Sequence, residues 1–188
     1  MPTPARPSAL VGQVFRGADA VAAGLLTRDQ LRSRAWRPLL RGVYADAALP
    51  PSPEERLRAV ELLAPPDAAF AGRTAAWLHG ATTAWDDADP VAVAVPRGSR
   101  WGPVRGVSIR HVRLSDDEVT TRAGHRVTSA ARTAADIARS GPPGLTVPVL
   151  DPLLSVTGVA ATDVYAAIGT GRGCVDARAA VAPVRARS

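Results

Sequence analysis

The chain has 188 residues, 46% of them apolar and only 4% aromatic, with one cysteine, a net charge of +6 and a pI near 11.0. That length fits one domain or two small ones, and that apolar share excludes wholesale disorder. The lone Cys174 excludes an internal disulfide and any multi-cysteine metal centre. No run approaches the about 18 apolar residues of a membrane span, and the N-terminus has no signal-peptide core, so a soluble, reduced, cytoplasmic protein with no membrane partner is expected.

All 23 basic residues are arginine. Without lysine there is no P-loop lysine, no Schiff-base lysine and no lysine to complete a PD-(D/E)xK nuclease site. Arginine keeps its charge and forks onto phosphate, so anion binding survives. A basic chain of this kind admits nucleic acid as a partner. The charge is uneven: residues 1–50 hold seven Arg and three Asp, residues 51–96 three Arg and seven acids, residues 97–150 nine Arg and four acids.

In chain order, residues 1–9 read as a loose Pro-rich tail. Leu10, Val14 and Phe15 can seat a first turn. Residues 17–23 (GADAVAA) read as a short helix stopped by Gly24. Thr27 is a good N-cap for a second short helix over 28–34 (RDQLRSR). After Pro38, LLRGVYA reads as strand, with Leu39, Val43 and Tyr44 packing and Arg41 outward. Pro50, Pro51 and Pro53 form a linker. Residues 54–63 (EERLRAVELL) read as an amphipathic helix ended by Pro65 and Pro66.

Next, AAFAG (68–72) reads as a short buried strand or turn, and RTAAWLHG (73–80) as a short helix closed by Gly80. VAVAV (91–95) and GVSIRHVRL (106–114) are strands flanking a basic, turn-rich loop centred on Trp101. HRVTS (125–129) is a further strand, and Ser129 caps a helix that ends at Gly141, with Ala131, Ala134, Ala135 and Ala138 as its close-packing face. Residues 151–188 read as two helical pieces joined by GTGRG (169–173). Strands and helices mixed without regular alternation predict an α+β fold.

These blocks resemble a known family. GADAVAAGLLTRDQLRS followed by RGVYA is similar to the winged-helix start of AbiEi-type antitoxins. FAGRTAAWLHGA is similar to the block that follows it. RHVRLSDDEVTTRAGHRVTSAARTAADIAR resembles the family's central signature: a strand, an acidic turn, a threonine-rich strand and an aspartate-containing helix. The resemblance spans roughly residues 15–180 in the right order. It implies an abbreviated winged-helix-like domain over 10–46, an α+β antitoxin-like domain over 52–150 and a helical tail over 151–188. It implies an antitoxin of a type IV abortive-infection system that binds promoter DNA and opposes a nucleotidyltransferase toxin without a stable complex. Actinobacterial members often continue into a very-short-patch-repair-like endonuclease domain, whose motif is not in these residues. A full winged helix needs a recognition helix before the RGVY strand, but only 35–40 are available and Pro38 interrupts them, so base-specific readout is expected to be reduced.

The candidate phosphate contacts are Arg28, Arg32, Arg34 and Arg41 in the head, with Arg105, Arg110 and Arg113 in reserve. The reserve set belongs to a patch with Arg97, Arg100 and Trp101, a charge-plus-stacking composition suited to single strands. The plain alternative for both sets is a solvated arginine face. His79, His111 and His125, with Asp86 or Asp117, show no HxH, HExxH or GxSxG spacing. His79 beside Trp77 reads as a hydrogen-bonded packing residue. Asp86, Asp87 and Asp89 read as a polar turn before a strand, with Mg²⁺ as the sharper reading. GTGRG follows a helical pattern and reads as a helix connection rather than a phosphate loop. Asp136 reads as an i,i+4 partner of Arg132, or as a buried partner of an arginine such as Arg73. Cys174 reads as inert. No cofactor, metal ligand or catalytic residue is assigned. The expected function is a non-enzymatic DNA-binding regulator. The alternatives are a metal-dependent nuclease-related or nucleotide-processing domain, or a protein-interaction remnant of a nuclease-fused relative.

Overall fold

The computed structural model describes residues 6–170 and 174–185. The fold is α+β, and the chain divides into two compact units. One holds the described residues through Pro65 together with Trp101–Val107; the other holds Pro66–Arg100 and the described residues from Ser108 on.

The first unit is winged-helix-like. Strand β1 (Val14–Arg16) runs straight into helix α1 (Gly17–Ala22), and strands β2 (Trp36–Leu40) and β3 (Val43–Asp46) form a hairpin. The sheet order is β1-β3-β2, antiparallel throughout. Gly24, at φ 69°, stops α1 in the left-handed conformation that suits a glycine. Phe15 sits edge-on to Trp36 at 5.1 Å and stacks on Tyr44 at 6.1 Å, and Leu10, Ala20, Leu26 and Leu31 close the core around them. Buried Asp46 accepts hydrogen bonds from the N–H groups of Gly12 and Ala48 and from Arg6. Burial alone would raise its carboxyl, but those donors hold it below the usual carboxylate range. Helix α2 (Pro53–Glu61) starts on Ser52, whose hydroxyl accepts from the Glu55 N–H, and Glu55 in turn receives Arg37 of β2 at 2.7 Å.

Three expectations change here. Val14 and Phe15 belong to a strand rather than a first turn. Residues 28–34 hold no full helix, only the 3-10 turn Gln30–Arg32. The N-cap of that turn is Asp29 rather than Thr27, although Thr27 and Gln30 exchange side-chain and backbone bonds at 3.2 and 2.7 Å. The turn cannot lengthen, because Ser33 is already extended and β2 begins three residues later. Finally, LLRGVYA is split between two strands by the Arg41–Gly42 turn, where Gly42 takes φ 80°.

The second unit is a five-stranded mixed sheet with helices. Its strands are β4 (Ala69–Phe70), β5 (Val91–Pro96), β6 (Val107–Val112), β7 (Val119–Arg122) and β8 (His125–Thr128), in the order β6-β5-β4-β8-β7. β4 pairs antiparallel with β5 and parallel with β8. β7 and β8 form a hairpin turned by Ala123 and Gly124, both at positive φ, the geometry that matches strand twist. Helix α3 (Gly72–Leu78) precedes β5, and α4 (Ala130–Ala138) follows β8, capped by the Ser129 hydroxyl as its sequence predicts. Helices α5 (Pro143–Thr157), α6 (Ala161–Ile168) and α7 (Cys174–Arg185) complete the chain. Position 150 lies inside α5, so the C-terminal helical region begins before residue 151 and contains three helices rather than two.

The core of this unit is built on small side chains. Ala134, Ala135 and Ala138 of α4 pack with Leu150 and Leu153 of α5, Val164 of α6 and Val181 of α7. Among the described residues, no helix is long and apolar enough to cross a membrane.

Candidate nucleic-acid interface

In the first unit, Arg28, Arg32, Arg34 and Arg41 are all exposed, as their sequence context predicts. Arg28 and Arg34 flank the 3-10 turn, and Arg41 stands at the tip of the β2–β3 hairpin, where the wing of such a fold lies. Arg32 pairs with Asp29 at 3.0 Å, with both side chains more than three-quarters solvated, so the pair is weak. Arg28, Arg34 and Arg41 have no ion-pair partner among the described residues. Arg37 is withdrawn from the surface by Glu55 and by the Leu49 carbonyl.

The structure adds Arg16. It ends β1, is exposed, and lies opposite Val43 in the register. The next residue, Gly17, donates its N–H to the Gly42 carbonyl at 2.9 Å, so Arg16 stands beside the wing turn. Its place at a strand end follows from the pairing of β1 with β3, a long-range contact that the local sequence does not carry.

The reserve patch is divided. Trp101 and Arg105 belong to the first unit, whereas Arg97, Arg100, Arg110 and Arg113 belong to the second. Arg97 and Arg113 line one shallow groove, joined where the Arg97 N–H meets the Val112 carbonyl at 3.0 Å. Glu118 lines the same groove and is committed to Arg132.

Compared with models of known families and with curated proteins, the sequence matches none. Its fold is similar to that of the RV2827C protein from Mycobacterium tuberculosis, known from a crystal structure. The TM-score is 0.58 at 17% identity, over 96% of this chain and 77% of that one. At that identity the likeness speaks for the fold alone.

The remaining candidates belong to the second unit. His79 closes α3 by donating from Nε2 to the Thr128 carbonyl at 2.8 Å, which ties the helix end to β8. Burial pushes its pKa below the ordinary histidine value and the Arg122 charge adds to that, against the opposing pull of the Thr128 carbonyl. Its Nδ1 is buried without a partner among the described residues. Neutral imidazole with the proton on Nε2 is the form this site holds.

Asp86 accepts from the N–H groups of Ala88 and Asp89 at 2.7 and 3.2 Å, which makes the Asp86, Asp87 and Asp89 segment a turn before β5. Among the described residues, no three His, Cys, Asp or Glu side chains are grouped to hold a metal ion. His111 is exposed on β6, and His125 packs edge-on against Phe70 at 5.6 Å. Asp136 does pair with Arg132, at 2.9 Å. Cys174 is half-buried, its thiol donating to the Ile168 carbonyl. Residues 171–173 of GTGRG lie outside the described residues; Gly169 ends α6.

Proposed function

We propose that this chain is a DNA-binding regulator of the AbiEi type: the antitoxin of a type IV system, cytoplasmic, without catalysis of its own, and functionally opposed to a nucleotidyltransferase toxin. The observation that supports this most is the first unit itself. A β1-β3-β2 sheet with a helix directly after β1 and an arginine-tipped hairpin is a winged-helix arrangement, and Arg16, Arg28, Arg34 and Arg41 are exposed on it. Arginine forks and a small wing are suited to phosphates and a groove edge. The recognition-helix position holds one 3-10 turn, so phosphate contact dominates in this reading.

The test is duplex binding followed by fluorescence anisotropy across a salt series. Affinity is expected near 10⁻⁴ to 10⁻⁶ M, about the non-specific range at physiological salt, and falls steeply as salt rises. Replacing Arg28, Arg32 and Arg34 together by alanine lowers the slope of log K against log salt by roughly three units if each meets a phosphate. An unchanged slope in that variant, with loss of slope in the Arg105, Arg110 and Arg113 triple variant, moves the interface away from the head.

A further inference from the structure

The second unit contains a cavity of about 200 Å³ that the DNA-binding reading does not use. Its floor is the β5–β6 edge of the sheet, and its walls are the start of α3 and the end of α4. The space exists because the residues beneath it are small. Ala92 and Ala94 of β5 form the floor, while Ile137 of α4 and Val112 of β6 close the apolar sides. At one wall Gly72 opens α3 at φ 52°, and an added Cβ there would stand in ordinary contact with the Ala92 methyl, at 3.6 Å.

Charged groups stand around this apolar floor, and their commitments differ. Asp136 accepts from Arg132 Nε at 2.9 Å and from Arg139 Nη1 at 3.4 Å, so its charge is already answered. Asp89 lies 3.7 Å from Arg73 Nη1. Arg73 also lines the cavity, and its Nε–H donates to the Ala84 carbonyl at 2.8 Å. Arg110 lines the cavity from exposed β6 and has no ion-pair partner among the described residues. Asp136 is met by Arg132 and Arg139, and Asp89 by Arg73, so the charge left unanswered at this site is the Arg110 guanidinium. A cation finds no free carboxylate here, whereas an anion finds an arginine fork.

We propose that this cavity binds a small organic anion, with an apolar body on the Ala92–Ala94 floor and a carboxylate or phosphate group on Arg110. Its size sets the class of ligand. Ligand pockets for larger molecules span about 300–1,000 Å³, and liquid water takes about 30 Å³ per molecule. The space therefore suits one ring with an acidic substituent. The site is independent of the head, and nothing in the proposal requires DNA.

The experiment titrates the full chain, labelled with ¹⁵N, with benzoate, phenyl phosphate and the neutral isostere benzamide, and follows backbone amide shifts. Benzoate or phenyl phosphate is expected to shift amides of β5, β6 and the end of α4 saturably, with benzamide about tenfold weaker. Saturation by benzoate alone assigns a carboxylate ligand, and by phenyl phosphate alone a phosphate. Arg110→Gln, at an exposed position that leaves folding intact, is expected to weaken anion binding about tenfold. Ala92→Leu fills the floor and is expected to remove binding of all three probes; an unchanged thermal midpoint shows that it still folds. The proposal is overturned by no saturable shift with either anion, by equal binding of benzamide, or by full affinity in Arg110→Gln.

Discussion

Arg132 is buried on α4, and its guanidinium meets three acceptors. Nη1 donates to Glu118 at 2.6 Å and to the Arg113 carbonyl at 3.2 Å, and Nε donates to Asp136 at 2.9 Å. One side chain therefore joins the segment after β6, the turn before β7 and its own helix. Burial alone would raise the Glu118 carboxyl, but the Ser115 N–H and the Arg132 charge hold it below the usual carboxylate range. Removing the guanidinium leaves Glu118 without its cation and Asp136 with Arg139 alone, at 3.4 Å. Arg132→Met is expected to cost about 2–3 kcal/mol, below the value for fully buried pairs because Glu118 keeps some solvent access. Urea unfolding measures it, and a loss under about 0.5 kcal/mol, the range of an ordinary surface change, would sink this account.

His79 makes a pH-dependent counterpart. Its folded pKa is depressed, so the unfolded chain takes up the proton first as pH falls through the ordinary histidine value of about 6.5. Stability is therefore expected to fall from that value downward, until the folded-state histidine also protonates. In His79→Gln, whose amide can still donate to Thr128, this part of the pH dependence is expected to vanish. Unfolding curves at pH 7.5, 6.5 and 5.5 for both proteins compare the two; parallel pH profiles would refute the assignment.

At the scale of elements, the start of α1 depends on a residue that has no side chain. A Cβ at Gly17 would stand 2.7 Å from Tyr44 Cε2 and 3.0 Å from Leu31 Cδ1. Leu31 can rotate, but the Tyr44 ring is stacked on Phe15 and resists. Gly17→Ala is thus expected to destabilise the head by about 1–3 kcal/mol through overpacking. The double variant Gly17→Ala, Tyr44→Leu relieves the clash, so a sub-additive cost in the double-mutant cycle is the confirming result and strict additivity the refuting one.

The elements legible in the sequence are those whose local chemistry agrees with their packing. Ser129 before an alanine-rich run gave α4, and VAVAV gave β5. The start of α5 was hidden for the opposite reason. Pro148 and Pro152 stand inside α5 and locally disfavour a helix, yet Val149, Leu150 and Leu153 are buried against neighbouring helices. Tertiary burial outweighs the lost helical hydrogen bonds there. The basic residues of the head were legible as a set, because exposure follows from charge. Arg16 and the Arg110 cavity were not, since both depend on which strands become neighbours, and that is set by long-range pairing.

For the whole molecule, the DNA-binding proposal carries a consequence for specificity. Discrimination among DNA sequences comes from side chains that reach base edges, usually from a helix laid in the major groove. Here that position holds the single 3-10 turn Gln30–Arg32, with a strand starting at Trp36. Few side chains can reach base edges from one turn, whereas the exposed arginines around it can meet phosphates on any sequence. A small preference is then expected, from the wing and from groove shape rather than from bases. In competition assays with the DNA upstream of its own gene, the ratio of specific to non-specific affinity is expected below about 10³, the lower end for sequence-specific proteins. Single base-pair changes should each alter affinity by less than about 1 kcal/mol, under the usual cost of a mismatched pair. A ratio near about 10⁵ would mean that bases are read by an element other than this turn, and it would redirect the search to residues outside the first unit.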